Sequence, residues 1–113
     1  MNKRDYKLYL KDILDAITKI EGYTKDLSFE EFSKGDLVID GVVRNFEIIG
    51  EASKNIPDEV KKQYPDVPWK EMAGMRDKMI HEYFGVDLEI VWKTVKNRLP
   101  QLTSIIRDMY NSE

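Results

Sequence analysis

Cysteine is missing from this chain of 113 residues, and histidine occurs once, at position 81. Without cysteine there is no disulfide, no thiolate nucleophile and no Cys-ligated zinc or iron–sulfur centre. A single histidine rules out a metal site built from several His ligands of one chain. Glycine and proline are few, six and four, and no Gly-rich phosphate loop or Gly-x-Ser-x-Gly elbow is found among them. No apolar run is long enough to cross a bilayer, and the start, Met1-Asn2-Lys3-Arg4-Asp5, lacks the apolar run of a signal peptide. The expectation is a cytoplasmic protein with no membrane contact. A basic excess is missing as well. The net charge is −3, so the field of the whole molecule repels nucleic acid. Residues 1–69 carry 11 Lys+Arg against 14 Asp+Glu, and residues 70–113 carry 7 of each. An RNA-binding role would need a local basic patch, not a basic protein.

What is present reads as one globular domain over residues 1–113. Charged residues make up 35% and hydrophobic ones 42%, which is a folding composition, not a disordered one. A chain of this length buries roughly two-thirds of its unfolded surface, enough for one core. The apolar spacing is helical throughout. Tyr6, Leu10, Ile13, Ile17 and Ile20 recur at steps of three and four and predict a helix over about 5–22. Ser28-Phe29-Glu30-Glu31 has the form of a capping box and opens a short turn that ends near Gly35. Asp36 is expected to cap a long helix lined by Leu37, Ile39, Val42, Val43, Phe46, Ile49 and Ala52, and Pro57 to end it. A short helix or turn follows over 58–64. Pro68 suits the first turn of a third long helix from Trp69 to about Phe84, with Gly85 as its C-cap. Asp87 should cap a last stretch carrying Leu88, Val91, Trp92, Val95, Leu99, Leu102, Ile105, Ile106 and Met109, which Pro100 should kink or split. The expected class is all-α, a four-helix up-and-down bundle with short extra helices.

The chemistry concentrates in Arg76-Asp77-Lys78-Met79-Ile80-His81-Glu82-Tyr83. It brings a permanent cation suited to phosphate within one or two turns of the only side chain that titrates near neutral pH. Arg76 and Tyr83 are seven apart and fall on nearly one stripe, roughly 10 Å along the axis. Asp77 and His81 are four apart and can meet. Arg76 and His81 lie about 140° apart on an ideal helix, so their convergence needs a long Arg reach, a distorted helix or a second chain. The plainer reading is a helix end with an exposed His and a Tyr packed in the core. On the second long helix, Asp40, Arg44, Glu47 and Glu51 form one polar stripe beside Gly41 and Gly50. This is either a solvated face with local ion pairs or a wall facing the Arg–His helix, in which a Glu holds Arg76 and the glycines let the helices come close. No Asp-x-Asp or Glu-x-x-His pattern supports a metal. Tyr6, Tyr9, Trp69, Trp92, Phe46 and Phe84 have the placement of core or interface aromatics.

The Arg76-x4-His81-x-Tyr83 segment resembles the motif of HepT-like toxins in the HEPN superfamily of helical nucleases. The surroundings match too, in Val43-Arg44-Asn45-Phe46-Glu47-Ile48-Ile49-Gly50-Glu51-Ala52, in Pro68-Trp69, in Glu82-Tyr83-Phe84, in Val91-Trp92 and in Leu99-Pro100. The similarity spans roughly residues 5 to 110. Asp77 stands where members often carry Asn. The resemblance implies a HEPN-like helical bundle that forms a homodimer with a composite site at its two-fold interface. It implies metal-independent cleavage of RNA, with Arg76 and His81 as the catalytic pair and no cofactor; Asp77, Glu47 and Arg44 are the polar groups expected to support them. It also implies that Tyr83 receives AMP from a nucleotidyltransferase antitoxin of the MNT type, which silences the nuclease of this toxin–antitoxin pair. An alternative is a non-catalytic helical module that docks such a nucleotidyltransferase. A small-molecule-binding bundle, resting only on the Asp40/Arg44/Glu47/Glu51 stripe, ranks below both.

Overall fold

The computed structural model describes residues 3–77 and 87–112. Helix α1 is Lys3–Thr24, α2 Phe29–Lys34, α3 Asp36–Lys54, α4 Asp58–Gln63 and α5 Trp69–Ala73. The C-terminal stretch runs as α6 Leu88–Lys93, a π-helical turn Thr94–Arg98 and α7 Leu99–Ser112. No strand occurs among the described residues, and none of their helices is long and apolar enough to cross a membrane. The class is all-α, as expected.

The hydrophobic stripes explain how these helices meet. Leu10, Ile13, Ile17 and Ile20 of α1 are fully buried against Val42, Phe46 and Ile49 of α3 and Leu99, Leu102 and Ile106 of the C-terminal stretch. Each such side chain contributes roughly 1.5–3 kcal/mol when fully taken out of water. Helix α1 packs mainly along α3 and also along α7, while α2 bridges α3 and α6. Phe32 of α2 reaches the core beside Trp92, with ring centroids 5.1 Å apart, and Phe29 meets the same ring edge-on at 6.2 Å. The Trp69 indole N–H donates to the Tyr64 carbonyl at 3.1 Å, which fixes the entry to α5. Lys96 donates to the Thr24 carbonyl at the end of α1 at 3.0 Å, with its ammonium 4.6 Å from the centre of the Trp92 ring.

The helix ends test the sequence reading one by one. Ser28 makes the full capping box with Glu31, and Asp87 accepts from the Ile90 N–H at 3.3 Å. Asp36 is not a cap. It is the first residue of α3, behind Gly35, and its carboxylate sits in the first turn, where the helix dipole favours negative charge. Helix α3 ends at Lys54, before Pro57, because the Asn55 N–H already bonds back to the Glu51 and Ala52 carbonyls; Pro57 starts α4 instead. Leu37, expected on the apolar line of α3, is 88% exposed. At the helix start it precedes the packed part of the stripe, which begins at Ile39.

The expected long helix over 69–84 is interrupted. Helix α5 stops at Ala73, Gly74 forms a turn whose N–H bonds to the Lys70 and Met72 carbonyls, and the chain is helical again over 75–77. The rest of that expectation, with Phe84 and the Gly85 cap, lies outside the described residues. Three long helical stretches of the expected four, α1, α3 and 88–112, are therefore in place. Pro100 does disturb the last of them, but one turn early. It has no N–H for the Lys96 carbonyl and its ring crowds that carbonyl. The preceding turn widens, and the Leu99 N–H bonds five residues back to Thr94.

The tightest approach in the fold is at Gly50. A Cβ there would lie 3.0 Å from Arg76 Cβ, 3.1 Å from Arg76 N and 3.2 Å from the Ala73 carbonyl oxygen. These neighbours are backbone or next to it, so they give way only if the segments separate. Gly22, near the end of α1, has nothing within 4 Å of the same position. Gly22→Ala should therefore raise stability by up to about 1 kcal/mol through helix propensity. Gly50→Ala should lower it by about 1–3 kcal/mol through overpacking, in spite of the same propensity gain. Urea midpoints of the two variants beside wild type check this; equal shifts of one sign would rule out the close crossing.

Candidate functional site

The site is assembled by that crossing. Gly74 turns the chain, and Met75 and Arg76 follow on α-helical backbone laid over Gly50 of α3. Met75 points into the core, 3% exposed. Arg76 is thereby turned outward, beside the next residue of α3. Its Nη1 donates to Glu51 Oε1 at 3.0 Å, and the two side chains are 44% and 53% exposed. Such a half-exposed pair contributes little to stability, about 0–1 kcal/mol. Its consequence is orientation: the carboxylate holds a guanidinium at the surface that would otherwise sample many rotamers. A guanidinium has five N–H donors in a planar fork, more than one carboxylate oxygen uses, so the held group can still bind a phosphate.

The polar stripe of α3 divides between two partners. Arg44 donates to Glu47 Oε2 at 3.5 Å along the helix. Glu51, one turn further on, crosses to Arg76. The glutamate that holds Arg76 is thus Glu51, while Glu47, expected as a supporting polar group, pairs with Arg44. Glu51 belonged to the same stripe, and the signal that would have singled it out is its place next to Gly50, where a crossing segment can come close. Asp77 is exposed and follows Arg76 on the helical segment. His81 and Tyr83 lie outside the described residues, and so does their geometry with Arg76.

An ion pair between α5 and the C-terminal stretch was not legible in the sequence. The Arg98 guanidinium, at the end of the π turn, grips Glu71 of α5 along one edge: Nε lies 2.8 and 3.0 Å from the two carboxylate oxygens, and Nη2 lies 2.7 Å from Oε1. Nη1 donates to the Gln101 Oε1 at 2.6 Å. Hydrogen bonding to Glu71 raises the Arg98 pKa further above its ordinary value, so this cation is permanent. It ties the C-terminal stretch to the short helix that carries the chain into Arg76. The partners stand 27 residues apart, and no local spacing points to them. Among the described residues no three His, Asp or Glu side chains gather as metal ligands would.

The family model described as Ribonuclease HepT-like matches residues 13–109. A protein of Thermococcus cleftensis named Probable ribonuclease HepT is 53% identical over 100 residues, covering 88% of this chain and 91% of its own. Two proteins of Methanocaldococcus jannaschii, both provisionally named as RNases, are each 46% identical over 113 residues; they cover 96% of this chain and 97% and 93% of their own lengths. No solved structure matches the chain. The matched span takes in α3, α5, the Arg76–Tyr83 motif and most of the C-terminal stretch. By that match and by these identities, the chain belongs to the HepT-like ribonuclease family.

Proposed function

We propose that this protein is the ribonuclease toxin of a toxin–antitoxin pair, cleaving RNA without a metal at a site shared by two copies of the chain. The observation that carries the reading is the Arg76 guanidinium, half-exposed and held on Glu51 at the Gly50 crossing, in a chain of the HepT-like ribonuclease family.

RNA can be cut through its own 2′-hydroxyl. The 2′-oxygen attacks the adjacent phosphorus as a base removes its proton, the bond to the 5′-oxygen breaks, and an acid protonates that leaving oxygen. The product ends carry a cyclic 2′,3′-phosphate and a free 5′-hydroxyl. Charge builds on the phosphorane oxygens in between, and a fixed cation stabilises it. Arg76 fills that role. His81 carries the only imidazole of the chain, the side-chain type suited to both proton transfers, and one imidazole cannot be base and acid in the same event. A two-fold dimer supplies a second His81 and a second Arg76, which also answers the poor alignment of Arg76 and His81 on one ideal helix. Asp77, Glu47 and Arg44 support the site as neighbouring polar groups.

Control follows from the same electrostatics. AMP placed on the Tyr83 hydroxyl by an MNT-type nucleotidyltransferase adds an anionic phosphate and a bulky nucleoside two residues from His81. Like charge and occlusion then keep the RNA backbone away from Arg76.

In EDTA, purified wild type should cleave RNA to cyclic-phosphate ends, and His81→Ala and Arg76→Ala should each lose about 10²–10⁴-fold in rate with unchanged circular dichroism. Unmodified wild type that cuts no RNA would favour a docking module without catalysis. Tyr83→Phe should keep cleaving in the presence of the nucleotidyltransferase and ATP, while wild type gains the mass of AMP and falls silent. Full silencing of Tyr83→Phe by the partner would end the proposed route of control.

A further inference from the structure

Arg44, Ile48 and Glu51 of α3 and Asn55, its C-cap, follow one another at steps of four, three and four, and so share one face. Tyr9 and Asp12 are three apart on α1 and share a face in the same way. The two faces border a cleft of about 190 Å³ along the α1–α3 seam. That seam is the main helix pairing of the fold, with fully buried Ile13 and Ile49 beneath it, so the walls are fixed. Glu51 lines the cleft and also holds Arg76. The cleft therefore opens beside the guanidinium.

The groups in the cleft select a class of ligand. Arg44 has a side chain 69% exposed, and its 3.5 Å contact with Glu47 is long for a charge-assisted hydrogen bond. A phosphate can compete for such a cation. Tyr9 is half-buried, a ring held in place with one part open to solvent. Asp12 and Glu51 bring two carboxylates to the same cleft. A bare phosphate or sulfate would meet both of them and be repelled. A ligand suits this set when it offers an anion to Arg44, a flat face to Tyr9 and N–H or O–H donors to the carboxylates. A nucleotide offers all three, since a base stacks on an aromatic ring and its amino groups or the ribose hydroxyls donate.

We infer that the α1–α3 cleft is a nucleotide-binding subsite, with Tyr9 under the base, Arg44 on the phosphate and Asp12 accepting from the base or ribose. Its place beside Arg76 makes it the seat of a nucleotide flanking the bond to be cut, and that part of the inference rests on the ribonuclease reading. A free mononucleotide presents the same chemistry.

The test measures binding without cleavage. A labelled single-stranded 2′-O-methyl oligoribonucleotide, in which the attacking hydroxyl is blocked, is titrated by fluorescence anisotropy into wild type, Tyr9→Leu, Asp12→Asn and Arg44→Ala; GMP and AMP are titrated by calorimetry. Tyr9→Leu should weaken oligonucleotide binding by about 5- to 100-fold. Arg44→Ala should weaken it and lower the slope of log K against log salt by about one. Binding of GMP or AMP alone, lost in the same variants, would keep the subsite and make a free nucleotide its ligand. Equal binding by wild type and all three variants, or no binding by wild type to any probe, overturns the inference. Should Tyr9→Leu fail to fold, the exposed Arg44 carries the test through Arg44→Ala and Arg44→Glu. Cleavage of unblocked RNA, run in parallel, separates the two readings. His81-dependent cleavage with binding indifferent to Tyr9 and Arg44 overturns the subsite alone. Binding that needs them, with no cleavage, overturns the nuclease alone.

Discussion

The arrangement of this protein turns on the missing side chain at position 50. Helix α3 is packed along α1 over most of its length, and at Gly50 it meets the backbone around Ala73 and Arg76 at a distance no larger residue allows without separation. Met75 goes inward and anchors the segment; Arg76 goes outward and lands beside Glu51. A core contact and a surface ion pair one residue apart are thus set by one crossing. The propensity cost of a glycine inside a helix, roughly 1 kcal/mol, is offset by the approach it permits.

Charge is distributed to match. The chain is acidic overall at −3, yet two of its five arginines are bound across elements. Arg76 and Arg98 each sit on a carboxylate from another element, Glu51 and Glu71. Arg98, with all three of its nitrogens on Glu71 or Gln101, is held by protein acceptors and acts as a brace. Arg76 faces one oxygen of a half-exposed carboxylate and stays available to a ligand. Two guanidiniums with similar bonds on paper therefore have different work, and the difference lies in how many of their donors the protein already uses.

The sequence made much of this legible where the information was periodic. The line Tyr6, Leu10, Ile13, Ile17, Ile20 placed α1, and every member is buried. The capping box at Ser28 and the cap at Asp87 follow from side chains that bond within three residues, so local sequence suffices. The errors arose where a partner distant in sequence decides. Nothing near Gly74 says that a helix predicted to run past it must turn there; the reason is the meeting with Gly50. Leu37 obeys the apolar spacing yet is exposed, because the spacing gives a face and not the point where packing begins. At the site, the stripe Asp40, Arg44, Glu47 and Glu51 was visible and a Glu was expected on Arg76, but which carboxylate takes it depends on where α3 is crossed, and helical spacing alone leaves that open. The roles of His81 and Tyr83 were read through the family motif, since helical geometry alone set Arg76 and His81 on different faces.

The π turn before Pro100 has a meaning beyond the proline. Val91, Val95 and Leu99 are all buried and are spaced by fours. On an α-helix each such step drifts by about 40°, and the third residue would have rotated well off the core. A wider turn over Thr94–Arg98 takes up that drift and hands over to Leu102, Ile106 and Met109, whose mixed spacing suits an ordinary helix. The bend is therefore specified twice, by the ring at position 100 and by the phase of the apolar residues before it. A chain with a different residue at 100 would still have to bend to keep its core.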